Sequence, residues 1–165
     1  FQSPNFNERP KDIAIDLIVI HAISLPPRNY DTELVKDLFL NTLEAGNDSY
    51  LRSISHLKVS SHFLITRAGQ LIQFVPMHLR AWHAGISSFK GREECNDFSI
   101  GIELEGCDEE EFAASQYETL IELINFLKQE YLIIEDNIVG HSSIAPGRKT
   151  DPGPHFKWNL LKSSI

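Results

Sequence analysis

Two periodicities divide the chain between them. Ile13 to Ile20 is an apolar, β-branched run broken only by Asp16, as expected of a central strand covered on both faces, and its end delivers His21. Val59 to Ile65 and Gln70 to Val75 read as two strands joined across Arg67-Ala68-Gly69, a hairpin signal. From Phe98 to Glu105 the alternation is strict, so Ile100, Ile102 and Leu104 share one face while Gly101, Glu103 and Glu105 share the other. The helical period takes over twice. Asp31-Thr32 can cap a helix bearing Leu34, Val35, Leu38 and Phe39, and Ser115-Gln-Tyr-Glu118 reads as a capping box. The second helix carries Tyr117, Leu120, Ile121, Ile124, Leu127 and Tyr131 on one stripe, which should cover one face of the sheet. Ile133 to Gly140 leads through a short strand to His141, and Lys157 to Ile165 predicts a terminal helical turn. Residues 1–12, with Pro4 and Pro10, read as an extended N-terminal arm on the surface. Residues 41–58 have a weak pattern around Gly46-Asn47-Asp48-Ser49 and predict a long, mobile loop with at most short helical turns, next to the site.

Length and composition narrow the function classes. The 165 residues suit one core and one domain. A net charge of −8 with no block of Lys or Arg argues against a nucleic-acid partner, and no apolar run approaches the roughly 20 residues of a membrane span. An anionic substrate would therefore need local cations, for which Lys58, Arg92 and Arg148 are candidates by charge and position. Cys95 and Cys107 lack a C-x-x-C spacing and read as free thiols of a reducing compartment. No secretory signal is visible, although the chain opens on Phe1 rather than Met, so the expectation is a cytoplasmic protein. A monomer is expected separately, although the sequence does not give the oligomeric state.

Candidate chemistry concentrates between His141 and Asp151. That segment holds an imidazole, the Lys149 ammonium and a carboxylate in a stretch stiffened by Pro146, Pro152 and Pro154, a composition suited to positioning polar groups. It reads as half of a metal site, with His21 as the missing partner. Two histidines and one carboxylate leave one position of a tetrahedral zinc open, the hydrolytic arrangement. Each residue also has a plainer reading. There are seven histidines, and a lone one is more often hydrogen-bonded than metal-bound. Asp151 before Pro152 can simply cap a turn, Glu103 can be a solvated strand residue and Lys149 a surface lysine. His62 and His83 read as supporting or rim groups, with Trp82 and His83 as candidate substrate contacts.

A resemblance draws these residues together. His21-x-Ile-Ser-Leu-Pro-Pro27, Val59-Ser-x-His62, Ala81-Trp-His-Ala-Gly85, Gly91-Arg-x-x-Cys-Asn-Asp-Phe-Ser-Ile-Gly-Ile-Glu-Leu-Glu-Gly106, and Gly140-His141 with Pro146-x-Arg-Lys-Thr-Asp-Pro-Gly-Pro154 occur in the expected order. They resemble the AmpD-type 1,6-anhydro-N-acetylmuramyl-L-alanine amidases, zinc amidases related to peptidoglycan recognition proteins. The resemblance spans nearly the whole chain. It implies an α/β (α+β) single domain over residues 1–165, with a mixed central β-sheet flanked by helices. It further implies Zn2+ on His21, His141 and Asp151, Glu103 as acid/base group, and Lys149 facing the developing oxyanion. The implied substrate is an anhydromuropeptide of cell-wall recycling, cleaved between the lactyl group and L-alanine. Two other readings stand beside it: a non-catalytic muropeptide-binding module, and a periplasmic or phage amidase acting on intact peptidoglycan. The complete set of candidate ligands weighs against the first. One departure is visible, because such sequences usually carry Asn after the first zinc histidine and this chain has Ala22, which suggests a missing polar side chain beside the site.

Overall fold

A computed structural model describes all residues from Phe1 to Ile165. Its centre is a five-stranded sheet containing β2 (Leu17–Ile23), β3 (Phe63–Ile65), β4 (Leu71–Gln73), β8 (Ser99–Glu105) and β9 (Ile138–Gly140), in the order β4-β3-β8-β2-β9. The sheet is mixed: β3, β8, β2 and β9 run parallel, and β4 is antiparallel to β3. Two short ribbons lie outside it, β1 (Phe6–Asn7) with β5 (Arg80–Ala81) and β6 (Ser88–Phe89) with β7 (Arg92–Glu93). The helices are α1 (Thr32–Leu40), α2 (Ser49–Ile54), α3 (Ala114–Tyr131), α4 (His141–Ile144) and α5 (Trp158–Lys162).

Strand alternation sorts the core into layers. Ile18 and Ile20 of β2, Phe63 and Ile65 of β3, and Ile100, Ile102 and Leu104 of β8 meet Leu120, Ile124 and Leu127 of α3 and Leu161 of α5. On the other face the apolar residues divide. Leu64 packs with Val35, Leu38 and Phe39 of α1, while Leu17 and Val19 pack with Cys95, Phe98 and Ile144. Polar groups occupy the gap between those two clusters.

The structure moves several boundaries. Regular pairing in β2 starts at Leu17, not Ile13, and runs on to Ile23, so His21 lies inside the strand rather than at its end. Residues 1–12 are stitched in rather than laid on the surface. Ser3 and Asn5 are buried, Ser3 Oγ donates to the Phe39 carbonyl at 2.6 Å, and Asn5 Nδ2 donates to that of Val59 at 2.7 Å. The Arg9 guanidinium reaches underneath to the carbonyls of Asn96, Asp97, Met77 and Ser99. A polar arm can be buried when each polar group finds a backbone partner, which periodicity cannot reveal. The 41–58 segment contains α2, capped by Asp48. The expected box at Ser115 is displaced, because α3 starts at Ala114 and Gln116 Oε1 accepts the Ala113 N–H at 3.0 Å. Gln116 Nε2 also donates to the Ile65 and Glu105 carbonyls, and Ser115 Oγ to that of Arg67. Sheet contacts thus decide where the helix begins. Gly69, at φ +81°, allows the hairpin to pass under α3, since a Cβ there would come 2.7 Å from the Ser115 carbonyl oxygen.

The two carboxylates of β8 part company. Glu105 is buried and fully engaged, accepting from the Thr32 hydroxyl and from the Arg67 N–H at 2.8 Å, so it clips the start of α1 to the β3–β4 turn. His62 is equally buried. Its Nδ1 accepts the Gly101 N–H at 3.0 Å and its Nε2–H donates to the Leu79 carbonyl at 3.0 Å, which defines a neutral ring.

Two expectations follow. Glu105→Ala leaves the Thr32 hydroxyl and the Arg67 N–H without their acceptor, and should cost roughly 2–3 kcal/mol in urea unfolding. Burial first, and then the Arg9 charge, lower the His62 pKa from 6.5 to about 3. The unfolded chain therefore binds a proton that the folded chain refuses. His62's contribution is intact above pH 6.5 and is lost as pH falls from there toward about 3, so stability should rise with pH across that window. His62→Asn should show a shallower slope of unfolding free energy against pH, and an unchanged slope would contradict the assignment.

Candidate active site

The four parallel strands end along one edge, and crevices outside the carboxyl ends of such strands are where open sheets place ligands. His21 and Glu103 are paired positions of β2 and β8, so their side chains leave the same face of adjacent strands. β9 stops at Gly140 and His141 is the first residue of α4. The chain then folds back on itself. The Ser142 N–H donates to the Asp151 carbonyl at 3.0 Å, and those of Arg148 and Lys149 to the Ala145 carbonyl. Asp151 is thereby returned beside His141.

Three ligand atoms converge there. His21 Nδ1 lies 2.9 Å from His141 Nδ1 and 3.3 Å from Asp151 Oδ2, and His141 Nδ1 lies 3.1 Å from the same oxygen. Nitrogen and oxygen ligands at about 2.0–2.1 Å from a tetrahedral ion stand about 3.3 Å apart, so this triangle has the spread of three ligands that would hold one such ion. His141 Nε2 sits 3.0 Å from the Ala84 carbonyl, which fixes its proton on Nε2 and presents the Nδ1 lone pair inward. Electrostatics agree. Burial lowers the His21 pKa to about 4, against the opposing pull of Asp151, so the ring is neutral and able to ligate. Burial alone would raise Asp151, but the His141 and His21 rings packed against it hold its carboxyl well below the ordinary range. Nothing else in the chain matches this group: His21, His141 and Asp151 form the His-His-Asp cluster able to hold a metal ion.

Glu103 stands next to the triangle. Its carboxyl is buried and its Oε2 has no hydrogen-bond partner, an arrangement that costs stability unless a ligand or water group completes it. Burial, and then the Asp151 charge, raise its pKa well above the usual value, while Lys149 works in the opposite direction. Lys149 lines the cleft, near enough to Glu103 and His21 to act on both electrostatically. The cleft itself holds about 560 Å³. Its lining combines the apolar Leu25, Phe39, Tyr50 and Ile54 with the polar Glu103, His141, Lys149 and Asp151.

The remaining candidates scatter. Arg92 does not reach the cleft: its guanidinium pairs with both Asp16 oxygens at 2.8 and 3.0 Å and stacks on Phe98. Trp82 is likewise outside, its indole N–H donating to Asn7. Lys58 is exposed at the rim, between the lining residues Leu57 and Val59. Arg148 borders the cleft, but its Nη2 donates to the Ala84 and Ile86 carbonyls. His83 lines the cleft as a largely buried neighbour of His21, its Nδ1 2.9 Å from His21 Nε2. Ala22 packs with the helix-side core, on the opposite face of β2 from His21, so its missing polar group does not leave a gap beside the ligands. Asn96 stands in the Gly91–Gly106 motif without an assigned role, yet its Oδ1 accepts from the N–H groups of both His83 and Ala84.

The N-acetylmuramoyl-L-alanine amidase family matches residues 11–154. The chain belongs to this amidase family. The 1,6-anhydro-N-acetylmuramyl-L-alanine amidase AmpD of Citrobacter freundii is 49% identical over 163 residues, covering 99% of this chain and 87% of that protein. A crystal structure of a selenomethionine AmpD derivative superposes with a TM-score of 0.96 at 46% identity, covering 100% of this chain and 92% of the other. The E. coli amidase AmiD, solved with anhydro-N-acetylmuramic acid-L-Ala-D-gamma-Glu-L-Lys, superposes at 0.69 with 32% identity, over 95% of this chain and 60% of that one. The single domain with its mixed sheet is the fold of these amidases.

The triangle predicts one metal ion per chain. Asp151→Ala removes the only charged ligand and should lower metal retained after dialysis to a small fraction of the parent's, measured by elemental analysis. Unchanged metal content would leave Asp151 as the cap of the Pro152 turn.

Proposed function

We propose that this amidase is a zinc hydrolase that cleaves the amide between the lactyl group of an anhydro-N-acetylmuramic acid and the L-alanine of its stem peptide, in peptidoglycan recycling. The observation behind it is the convergence of His21, His141 and Asp151 beside a buried carboxylate, Glu103, whose Oε2 has no partner. The donor set suits zinc: two neutral imidazoles and one carboxylate with an open position are a hydrolytic arrangement. A zinc ion held there supplies Lewis acidity, which polarises a carbonyl and lets water lose its proton near neutral pH.

The chain's own residues account for the rest. Glu103, at a paired position with His21, is placed to take the proton of the attacking water at its free Oε2 and return it to the departing alanine amine. Its raised pKa, set by burial, suits a group that must both accept and give back a proton. Lys149 brings a positive charge toward the oxygen that gains charge as the tetrahedral centre forms, a contribution of roughly 3 kcal/mol if it behaves like other single oxyanion donors. Leu25, Phe39, Tyr50 and Ile54 give the substrate apolar lining against which to shed water. Cytoplasmic operation belongs to the same proposal, supported by the AmpD resemblance and by two unpaired cysteines, and a monomer is proposed with it.

Glu103→Gln should retain zinc and fold while hydrolysis of an anhydromuropeptide falls about 100- to 10,000-fold, since a general base contributes about that much. Undiminished hydrolysis would remove Glu103 from the role. Loss of activity on chelation, with return on adding zinc, tests the metal. For specificity, kcat/KM should favour the anhydro sugar over the ordinary reducing sugar by at least about tenfold, or roughly 1.4 kcal/mol in the transition state. Equal values would argue for action on intact wall and leave the amidase chemistry in place.

A further inference from the structure

Both candidate histidine ligands are oriented from a single dipeptide, His83-Ala84. The Ala84 carbonyl accepts from His141 Nε2, 3.0 Å away. His21 Nε2 lies 2.9 Å from His83 Nδ1, and geometry alone does not say which nitrogen carries the hydrogen. The far end of the chain of contacts decides it. Ser99 Oγ is 2.6 Å from the Cys95 carbonyl, which can only accept, so the hydroxyl proton goes there. Ser99 Oγ must then accept from His83 Nε2, 3.1 Å away. His83 is therefore protonated at Nε2 and its Nδ1 is an acceptor. His21 must donate from Nε2, which leaves Nδ1 bare on the metal side.

This direction is not the one the local charge would choose. Asp151 Oδ2 lies 3.3 Å from His21 Nδ1 and would draw the ring's proton onto that nitrogen, producing the tautomer that cannot ligate. His83 opposes it by offering an acceptor on the other side.

The dipeptide is itself held in place. Asn96 Oδ1 accepts the His83 N–H at 3.1 Å and the Ala84 N–H at 2.8 Å, and Asn96 is buried. The His83 ring lies directly on β8, where a Cβ at Gly101 would come 2.5 Å from its Cγ, so the ring fits only because that strand position is glycine. We propose that His83 and Asn96 are positioning residues of the metal site: His83 sets the tautomer of His21, and Asn96, by fixing His83 and the Ala84 carbonyl together, sets the orientation of both histidine ligands. This deepens the metal-site reading and rests on it. Such outer groups act on metal affinity by about 10- to 100-fold.

The test uses the full chain, labelled with ¹⁵N, with and without zinc. Long-range imidazole ¹⁵N–¹H correlation reads which ring nitrogens carry protons. In the parent protein His21, His83 and His141 should each keep a proton on Nε2 in both states. His83→Leu should shift the metal-free His21 proton toward Nδ1, leave His141 unaltered, and weaken zinc binding about 10- to 100-fold in competition with a chelator. His83→Asn, whose Oδ1 can accept where Nδ1 did, should restore the His21 tautomer and most of the affinity, which a space-filling role would not do. Asn96→Leu should disturb both ligand rings, and Asn96→Asp, which keeps the accepting oxygen, should disturb neither. A parent protein with His83 protonated at Nδ1, or a folded His83→Leu chain with His21 unchanged, overturns the proposal. Should His83→Leu not fold, the parent spectrum and His83→Asn decide it, since a restored acceptor that leaves His21 on Nδ1 also overturns it. Parent tautomers as described in a chain that binds no zinc would support the relay and remove the metal reading instead.

Discussion

A strand covered on both faces cannot slip by one residue against its neighbour without turning every side chain to the wrong layer, and β2 and β8 are held together by this rule over seven paired positions. Ile18, Ile20, Ile100, Ile102 and Leu104 must face α3, so Val19, His21, Gly101 and Glu103 must face the other way. The apolar register thus places the candidate ligand beside the candidate base. It also places Gly101 under the His83 ring and Ser99 at the end of the His21–His83 relay. The site is a by-product of core packing in this sense: the sheet cannot form correctly without bringing these polar groups to one face.

Polar groups on a sheet face buried under loops are costly unless partnered, and the chain partners nearly all of them with backbone. His62 spans Gly101 and Leu79, Glu105 takes Thr32 and Arg67, Asn96 takes His83 and Ala84, and Arg9 binds four carbonyls. Two buried atoms are left over, Arg9 Nε and Glu103 Oε2. The first lies in the folded arm, and the second belongs to a cleft-lining residue paired with His21 across β2 and β8. The contrast between Glu103 and Glu105, two residues apart on the same strand face, is therefore one of partners: a carboxylate with two donors holds the fold, and one with a free oxygen is available for chemistry.

A chain with a net charge of −8 would need local positive charge to meet the anionic sugar-peptide proposed as its substrate. Lys149 is the cation that the structure gives to the cleft, while Arg148 is engaged with the 84–86 backbone and Arg92 with Asp16. Positive charge near the reacting centre is thus scarce and local, which favours its use where charge develops over general attraction of the substrate.

Local sequence determined the parts of this protein governed by short-range rules. Alternation in Phe98 to Glu105 marked which residues share a face, the β-branched run before His21 marked a buried strand, the stripe from Tyr117 to Leu127 marked the covering helix, and Asp31 marked the cap of α1. The motif order also led from His21, Glu103, His141, Lys149 and Asp151 to an amidase family. Only the tertiary structure decided what depends on neighbours distant in the chain. His21 and His141, 120 positions apart in the chain, close to a 2.9 Å contact only because β2 and β9 are adjacent and parallel. The burial of the arm, the start of α3 at Ala114, the removal of Arg92 and Trp82 from the cleft, the side of β2 on which Ala22 lies and the grip of Asn96 on His83-Ala84 all have the same origin. Each is a hydrogen bond or a packing contact between segments far apart in sequence, and a side chain's residue type states what it can bond to but not which partner the fold will bring to it.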